Sequence, residues 1–221
     1  MPRDRPIRAV IFDLDGVLVS TDELHYRAWQ TIADREGIPF DREVNHLLRG
    51  VGRLESLQII LRRAGRTCSR AEQIRLAEEK NALYRGMIES LGPGDLLPGV
   101  AATLQRLRAR GVRAALASAS RNARRTLERI GLDRSFEVVV DGHDITASKP
   151  DPQILLIAAA RLRLPPESCL VVEDAPAGIE AARRAGMAFL GIGTDENLPH
   201  VHPRAADLSG DDLDRVLDGL D

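Results

Sequence analysis

Short, unbroken apolar runs recur along the chain: "AVIF" at 9–12, "RAALAS" at 113–118, "EVVV" at 137–140, "CLVV" at 169–172 and "AFLGIG" at 188–193. None alternates with polar residues, which is the pattern of strands covered on both faces in a parallel sheet. Between them, apolar positions return at helical spacing. Val100, Leu104 and Leu107 share one face. So do Ala123, Leu127 and Ile130, stopped by Gly131, and Ile154, Ile157, Ala158 and Leu162, ahead of Pro165 and Pro166. "AGIEAARRAG" predicts a helix ending at Gly186, and "DDLDRVLDGL" (211–220) a last one. Strand alternating with helix predicts an α/β fold with a doubly wound parallel sheet.

One segment breaks the alternation. From about Thr21 to Ser90 the pattern is helical throughout, without a convincing strand. Hinge-like stretches flank it, "GVLVST" (16–21) and the Gly- and Pro-rich "LGPGDLLPG" (91–99). The expected organisation is a core of residues 1–19 and 95–221 with an inserted all-helical cap domain, 20–94. A long excursion after the first strand is what a lid over an active site looks like.

Composition narrows the function classes. The 221 residues are 43% hydrophobic and 29% charged, with a formal net charge of -2. That is ordinary for a soluble globular protein, and no basic patch argues for nucleic acid. The arginine clusters Arg62-Arg63 and Arg124-Arg125 read as solvated helix faces. Cys68 and Cys169, far apart and without metal-ligand neighbours, read as reduced thiols of a cytoplasmic protein. The N-terminus lacks the apolar stretch of a signal peptide, and no run is long enough to span a membrane. No segment reads as a dimer interface, so a monomer is expected.

The polar residues then fall in an order. In open α/β sheets, ligands bind beyond the carboxyl ends of the strands. Asp13 and Asp15 end the first strand, Ser118 and Ser120 the second, Asp141 the third, and Glu173 and Asp174 the fourth; the loop "ASKPDP" adds Lys149. Any one of these alone is ordinarily a turn or capping residue. Jointly, each at a strand end, they point to chemistry. Carboxylates with few His or Cys favour a hard, oxygen-seeking cation, most simply Mg²⁺, which typically brings a phosphate. Ser118 and Lys149 suit phosphate oxygens, and an Asp can serve as nucleophile in phosphoryl transfer beside a second carboxylate acting as acid and base.

At these positions the chain resembles the haloacid dehalogenase superfamily. "FDLDGVL" is similar to its first motif, "ASAS" to its second, "SKPDP" to its third and "EDAPAGIEAARRAGM" to its fourth. The resemblance implies a Rossmann-like core with a cap, Asp13 as the phosphorylated nucleophile and Asp15 as general acid/base. It implies Mg²⁺ held by the Asp13 carboxylate, the Asp15 main-chain carbonyl and Asp174, with Glu173 in support. Asp15 argues against the dehalogenases, which have Tyr there, and the phosphonate hydrolases, which have Ala.

In the cap, Leu76, Lys80, Leu83 and Met87 form a predicted stripe in which Lys80 is the polar member, either snorkelling or facing a ligand. "HYRAW", "LRGVGRLESLQ", "EEKNALY" and "ALASASRNA" together resemble the β-phosphoglucomutases, over most of the chain. That implies interconversion of β-D-glucose 1-phosphate and β-D-glucose 6-phosphate through β-glucose 1,6-bisphosphate. It also implies Thr21 as a hinge residue and His25 as support for Asp15. Arg53, Ser120 and Asn122 would grip the phosphate that is not reacting, in loops containing Arg49, Gly50, Ala119 and Arg121. Ser56 and Lys80 would contact the sugar phosphate from the cap, and Ser118 and Lys149 the transferring group. Arg49 and Arg121 stand where these enzymes often have Lys, and Gly52 where they often have Ser. The alternative on the same core is a Mg²⁺-dependent sugar-phosphate phosphatase. A non-catalytic relative is disfavoured because Asp13 and Asp15 are both present.

Overall fold

In the computed structural model, residues 6–194, 196 and 198–219 are described. The chain runs β1 (Ala9–Phe12), α1 (Asp22–Glu36), α2 (Arg42–His46), α3 (Arg53–Arg63), α4 (Arg70–Ile88), α5 (Val100–Ala109), β2 (Arg113–Ala117), α6 (Ala123–Arg129), β3 (Val138–Val140), α7 (Gln153–Leu162), β4 (Cys169–Glu173), α8 (Pro176–Arg184), β5 (Ala188–Ile192), β6 (Arg204–Ala205) and α9 (Asp212–Asp218). The strands form one sheet in the order β3-β2-β1-β4-β5-β6, and every pairing is parallel.

Burial explains the unbroken apolar runs. All four residues of β1 are buried. Val10 and Phe12 pack with α5, α6 and α9 on one face; Ala9 and Ile11 pack with α7 and α8 on the other. Strands sandwiched in this way have no polar face to alternate with. β6 was not anticipated from the apolar runs: it has two residues, follows Pro203, and exists by pairing Gly191 and Ile192 of β5. The expected last helix reaches α9, and Leu220 lies outside the described residues, as do the outermost residues of the expected core range, 1–5 and 220–221.

The helical stretch has its own apolar core, in which Trp29, Ile32, Leu57, Ile60, Leu61 and Leu76 are almost completely buried. Its longest helix starts at a Ser69 cap that accepts from Glu72 N at 3.2 Å. The far end of α4 behaves differently. Tyr84 and Ile88 belong to the core that contains Phe12, Leu18 and Leu127. The predicted stripe is therefore shifted: Leu76, Ala77, Lys80, Tyr84 and Ile88 are the buried positions, while Leu83 is exposed. The i, i+4 spacing held to the end of the helix, so the face continues through Tyr84 instead of turning to Leu83.

The two connections are tied to each other. Val19 bridges both Asp15 and Leu96, and Leu97 N donates to Leu18 O at 2.9 Å. Both crossings between sheet and helices thus run side by side at the carboxyl end of β1.

Ile11→Ala should cost about 2–5 kcal/mol of unfolding free energy, the usual range for emptying a well-packed aliphatic site. Leu156→Ala, at a position 40% exposed, should stay within about 0.5 kcal/mol of the parent; urea titration of both variants checks this.

Candidate active site

The first turn after β1 is built around Asp13. Its Oδ2 accepts the Asp15 amide at 3.0 Å, while its Oδ1 lies 2.5 Å from Lys149 Nζ. The same ammonium reaches Glu173 Oε2 at 2.6 Å and Ala117 O at 3.3 Å, so all three of its protons are engaged. Burial opposes the charge on Lys149, but Asp13 and Glu173 outweigh it and hold the lysine firmly protonated. The other oxygen of Glu173 takes the amides of Asp174 and Ala175 at 3.2 and 3.1 Å. A side chain at Gly178 would put its Cβ 2.0 Å from the Glu173 carboxylate, so α8 approaches only because that position is glycine.

Asp13, Glu173 and Asp174 each bring a carboxylate oxygen within 4.8 Å of the others. Desolvation raises the pKa of both Glu173 and Asp174; Lys149 opposes the rise at Glu173 and Asp13 adds to it, while the charges of Glu173 and Asp13 add to the rise at Asp174. Three carboxylates against one lysine leave negative charge that a divalent cation would neutralise, and an all-oxygen donor set fits a hard one. Gly16, at φ +75°, leaves room for the Asp174 carboxylate, whose Oδ2 would sit 2.1 Å from a Cβ there. Asp141, expected with this group, is elsewhere: its carboxylate accepts from Arg124 Nε at 3.0 Å and His143 N at 2.9 Å.

A cavity of about 590 Å³ opens between this edge and the cap helices. Asp13, Asp15 and Asp174 line it, while Lys149 and Glu173 lie beneath its floor. Asp15 accepts from the Thr21 hydroxyl, which accepts from Tyr84 Oη at 3.2 Å. Burial, then the neighbouring Asp13, pushes the Asp15 carboxyl up to about 7, against the pull of Thr21 and Lys80. That is the range in which a carboxyl group both gives and takes a proton near neutrality.

Lys80 faces the same space from α4. Its Nζ lies 2.6 Å from His25 Nδ1 and against the rings of Trp29 and Tyr84. Burial, then Arg53, brings it down to about 7. Burial, then Lys80, also holds His25 well below its ordinary value, so the imidazole is neutral. A charged Lys80 has only protons to give, which places the His25 proton on Nε2.

Further along the cavity, Arg49, Gly50, Arg53 and Ser56 come from the cap, and Ser118, Ala119, Ser120, Arg121 and Asn122 from the loop after β2. Arg53 pairs with Glu78 at 3.1 Å, yet its Nη1 is buried with no hydrogen-bond partner, and burial lowers its pKa. Ser118 Oγ accepts from Ser120 N, and Ser120 Oγ from Asn122 N, both at 3.2 Å. Ser56 instead turns back towards Val51 O, at 3.5 Å.

Two contacts between cap and core and one at the hinge escaped sequence reasoning. Asn81 accepts from Asn122 Nδ2 at 2.8 Å, Gly52 N donates to Ser148 Oγ at 3.1 Å, and Tyr84 reaches Thr21. Tyr84 sits four residues after Lys80 on the same face of α4, and that spacing was the available signal for it.

A profile of haloacid dehalogenase-like hydrolases matches residues 7–186. The β-phosphoglucomutase of Bacillus subtilis (strain 168) is 44% identical over 189 residues, 85% of this chain and 84% of that protein. The phosphorylated carbohydrates phosphatase of Thermotoga maritima is 33% identical over 184 residues, 82% of each. The crystal structure of β-phosphoglucomutase from Clostridium difficile superposes with a TM-score of 0.91 at 35% identity, covering 96% of both chains. With the family match spanning most of the chain and the motif carboxylates gathered at one sheet edge, the protein belongs to the haloacid dehalogenase-like hydrolases.

Proposed function

We infer that the chain is a phosphomutase interconverting β-D-glucose 1-phosphate and β-D-glucose 6-phosphate through an aspartyl-phosphate enzyme and the 1,6-bisphosphate. The observation that carries this reading, beside the 44% identity to a β-phosphoglucomutase, is a single cavity with two anion-binding groups. One is Ser118 beside Asp13 and the carboxylate cluster, which would receive a phosphate with a divalent cation in place. The other is Arg53 with Ser120 and Asn122; Arg53 and Asn122 also border a recess of about 480 Å³ that Asp13 and Asp15 do not reach. The buried, unpaired Nη1 of Arg53 is costly in water-free surroundings and suits a phosphate oxygen. A phosphatase needs only the first group; a mutase has to hold both ends of a bisphosphate.

In this reading Asp13 attacks the phosphoryl group of the bisphosphate, and Asp15 gives its proton to the departing sugar oxygen. In the reverse direction Asp15 takes the proton of the hydroxyl that attacks the aspartyl phosphate. Thr21 orients Asp15 from the hinge, and neutral His25 with Lys80 closes the cavity wall behind it. Lys149 aims the Asp13 carboxylate; of its three bonds, the one to Ala117 O is the longest and the one a phosphoryl oxygen would replace. Asp13, Asp174 and the Asp15 carbonyl would hold Mg²⁺, with Glu173 supporting Asp174. The ion would supply positive charge against the phosphoryl oxygens. The helices between Asp22 and Ile88 act as a cap that shuts out water, so that the sugar and not water receives the phosphate. We further propose a cytoplasmic monomer; no described helix is long and apolar enough to cross a membrane.

With Mg²⁺, β-glucose 1-phosphate and a trace of the bisphosphate, glucose 6-phosphate should appear with little inorganic phosphate, and EDTA should stop it. Stoichiometric phosphate release would instead identify a phosphatase. Asp13→Asn should lose about a thousandfold or more in turnover while still binding substrate by calorimetry; near-normal turnover would remove Asp13 from the nucleophile's place.

Lys80 has a measurable cost. The unfolded chain keeps its proton up to about 10.5, whereas the folded protein releases it near 7. The folded state is therefore penalised most at and below pH 7, and the penalty fades as pH rises towards 10.5. Lys80→Met should stabilise the protein by a few kcal/mol at pH 7, with less than about half that gain left at pH 9.5. Denaturant titrations at the two values check this, and activity should fall sharply in the same variant.

A further inference from the structure

The substrate-facing loop that carries Arg49 and Gly50 is fastened to the hinge end of α1 by a group the reaction does not otherwise use. Asp22, the first residue of α1, accepts from Asn45 Nδ2 at 2.9 Å through Oδ1 and from Arg49 Nη2 at 3.2 Å through Oδ2. Asn45 is 4% exposed, in α2, just ahead of the loop. The other terminal nitrogen of Arg49 lies 3.9 Å from Asp174 Oδ2, on the core side of the cavity. All three side chains line that cavity.

We infer that Asp22 is a positioning residue that, with Asn45, holds the Arg49 guanidinium across the seam between cap and core and so sets the approach of the sugar phosphate. Each Asp22 oxygen is turned to a donor of this chain, and the role inferred for Asp22 is exerted through Arg49. The geometry also accounts for arginine here. A planar fork sends two different nitrogens towards carboxylates on opposite sides, 3.2 and 3.9 Å away, a wider span than one lysine nitrogen covers. Arg49 and Asp22 are partly exposed, so their attraction alone is weak. The buried Asn45 gives it direction, because it fixes the carboxylate plane before Arg49 arrives. The consequence is a loop set in place before substrate enters, which lowers the ordering cost of binding.

This deepens the phosphomutase reading and rests on it for the kinetic arm alone. In the full-length enzyme with Mg²⁺, Asp22→Asn and Asp22→Ala should raise KM for β-glucose 1-phosphate about three- to tenfold, with kcat within about twofold. Arg49→Lys should give a similar rise, and combining it with Asp22→Ala should add little further. Amide hydrogen exchange of residues 47–52, measured without substrate, should quicken in Asp22→Ala while the thermal midpoint of Asp22→Asn stays close to the parent's. Unchanged loop exchange, or fully additive KM effects, would overturn the proposal. A fall in kcat of a hundredfold would likewise overturn it, by making Asp22 catalytic. Faster loop exchange in a protein that yields no glucose 6-phosphate would uphold the fastening and sink the phosphomutase reading instead.

Discussion

Lys149 carries its charge deep below the surface, with its ammonium 2.5 Å from Asp13 and 2.6 Å from Glu173. Taking three charges out of water costs several kcal/mol for each unless every donor and acceptor is met. Here they are met: the lysine spends its third proton on Ala117 O, and Glu173 turns its second oxygen to the amides of Asp174 and Ala175. The cluster draws together the end of β1, the end of β2, the loop before α7 and the end of β4. The orientation of Asp13 follows from this network, and so does the way Asp174 enters the cavity. The site is preorganised because the alternative is an unpaired buried ion.

The second buried lysine obeys the opposite balance. Lys149 sits between carboxylates and is held charged, whereas Lys80 has a neutral imidazole, two aromatic rings and a nearby guanidinium. Nothing anionic in direct contact offsets its burial, so its proton is loosely held. A cationic wall of this kind is completed by an incoming anion, and the protein tolerates the strain of its absence. Stability is given up on the cap side for affinity, while the core side is nearly self-sufficient.

The core was readable because its strands are buried on both faces and its chemistry sits where parallel strands end. The five apolar runs and the order of Asp13, Ser118, Lys149 and Asp174 needed no knowledge of distant contacts. β6 was not readable, because two residues joined by pairing leave no periodicity. Leu83 was misplaced because i+7 and i+8 from Leu76 both return near one helix face, and only the contacts of Tyr84 with Thr21 and His25 decide between them. The Asp141 misplacement has the same origin. A strand end locates a residue but does not aim its side chain, and Arg124 turned this one away. Asp22 and Asn45 were silent for the plainer reason that their bond spans 23 residues of irregular spacing.

The far turns of α4 do not belong to the helical layer alone, since Tyr84 and Ile88 are buried among Phe12, Leu18 and Leu127. The cap is thus rooted in the catalytic layer's apolar interior and not merely hung from two strands of backbone. Recombination that exchanged caps between relatives at the linkers would carry this root along and leave a mismatched socket behind. Inheritance of new substrate preference in such a chain therefore favours point changes along the cavity wall over wholesale replacement of the module.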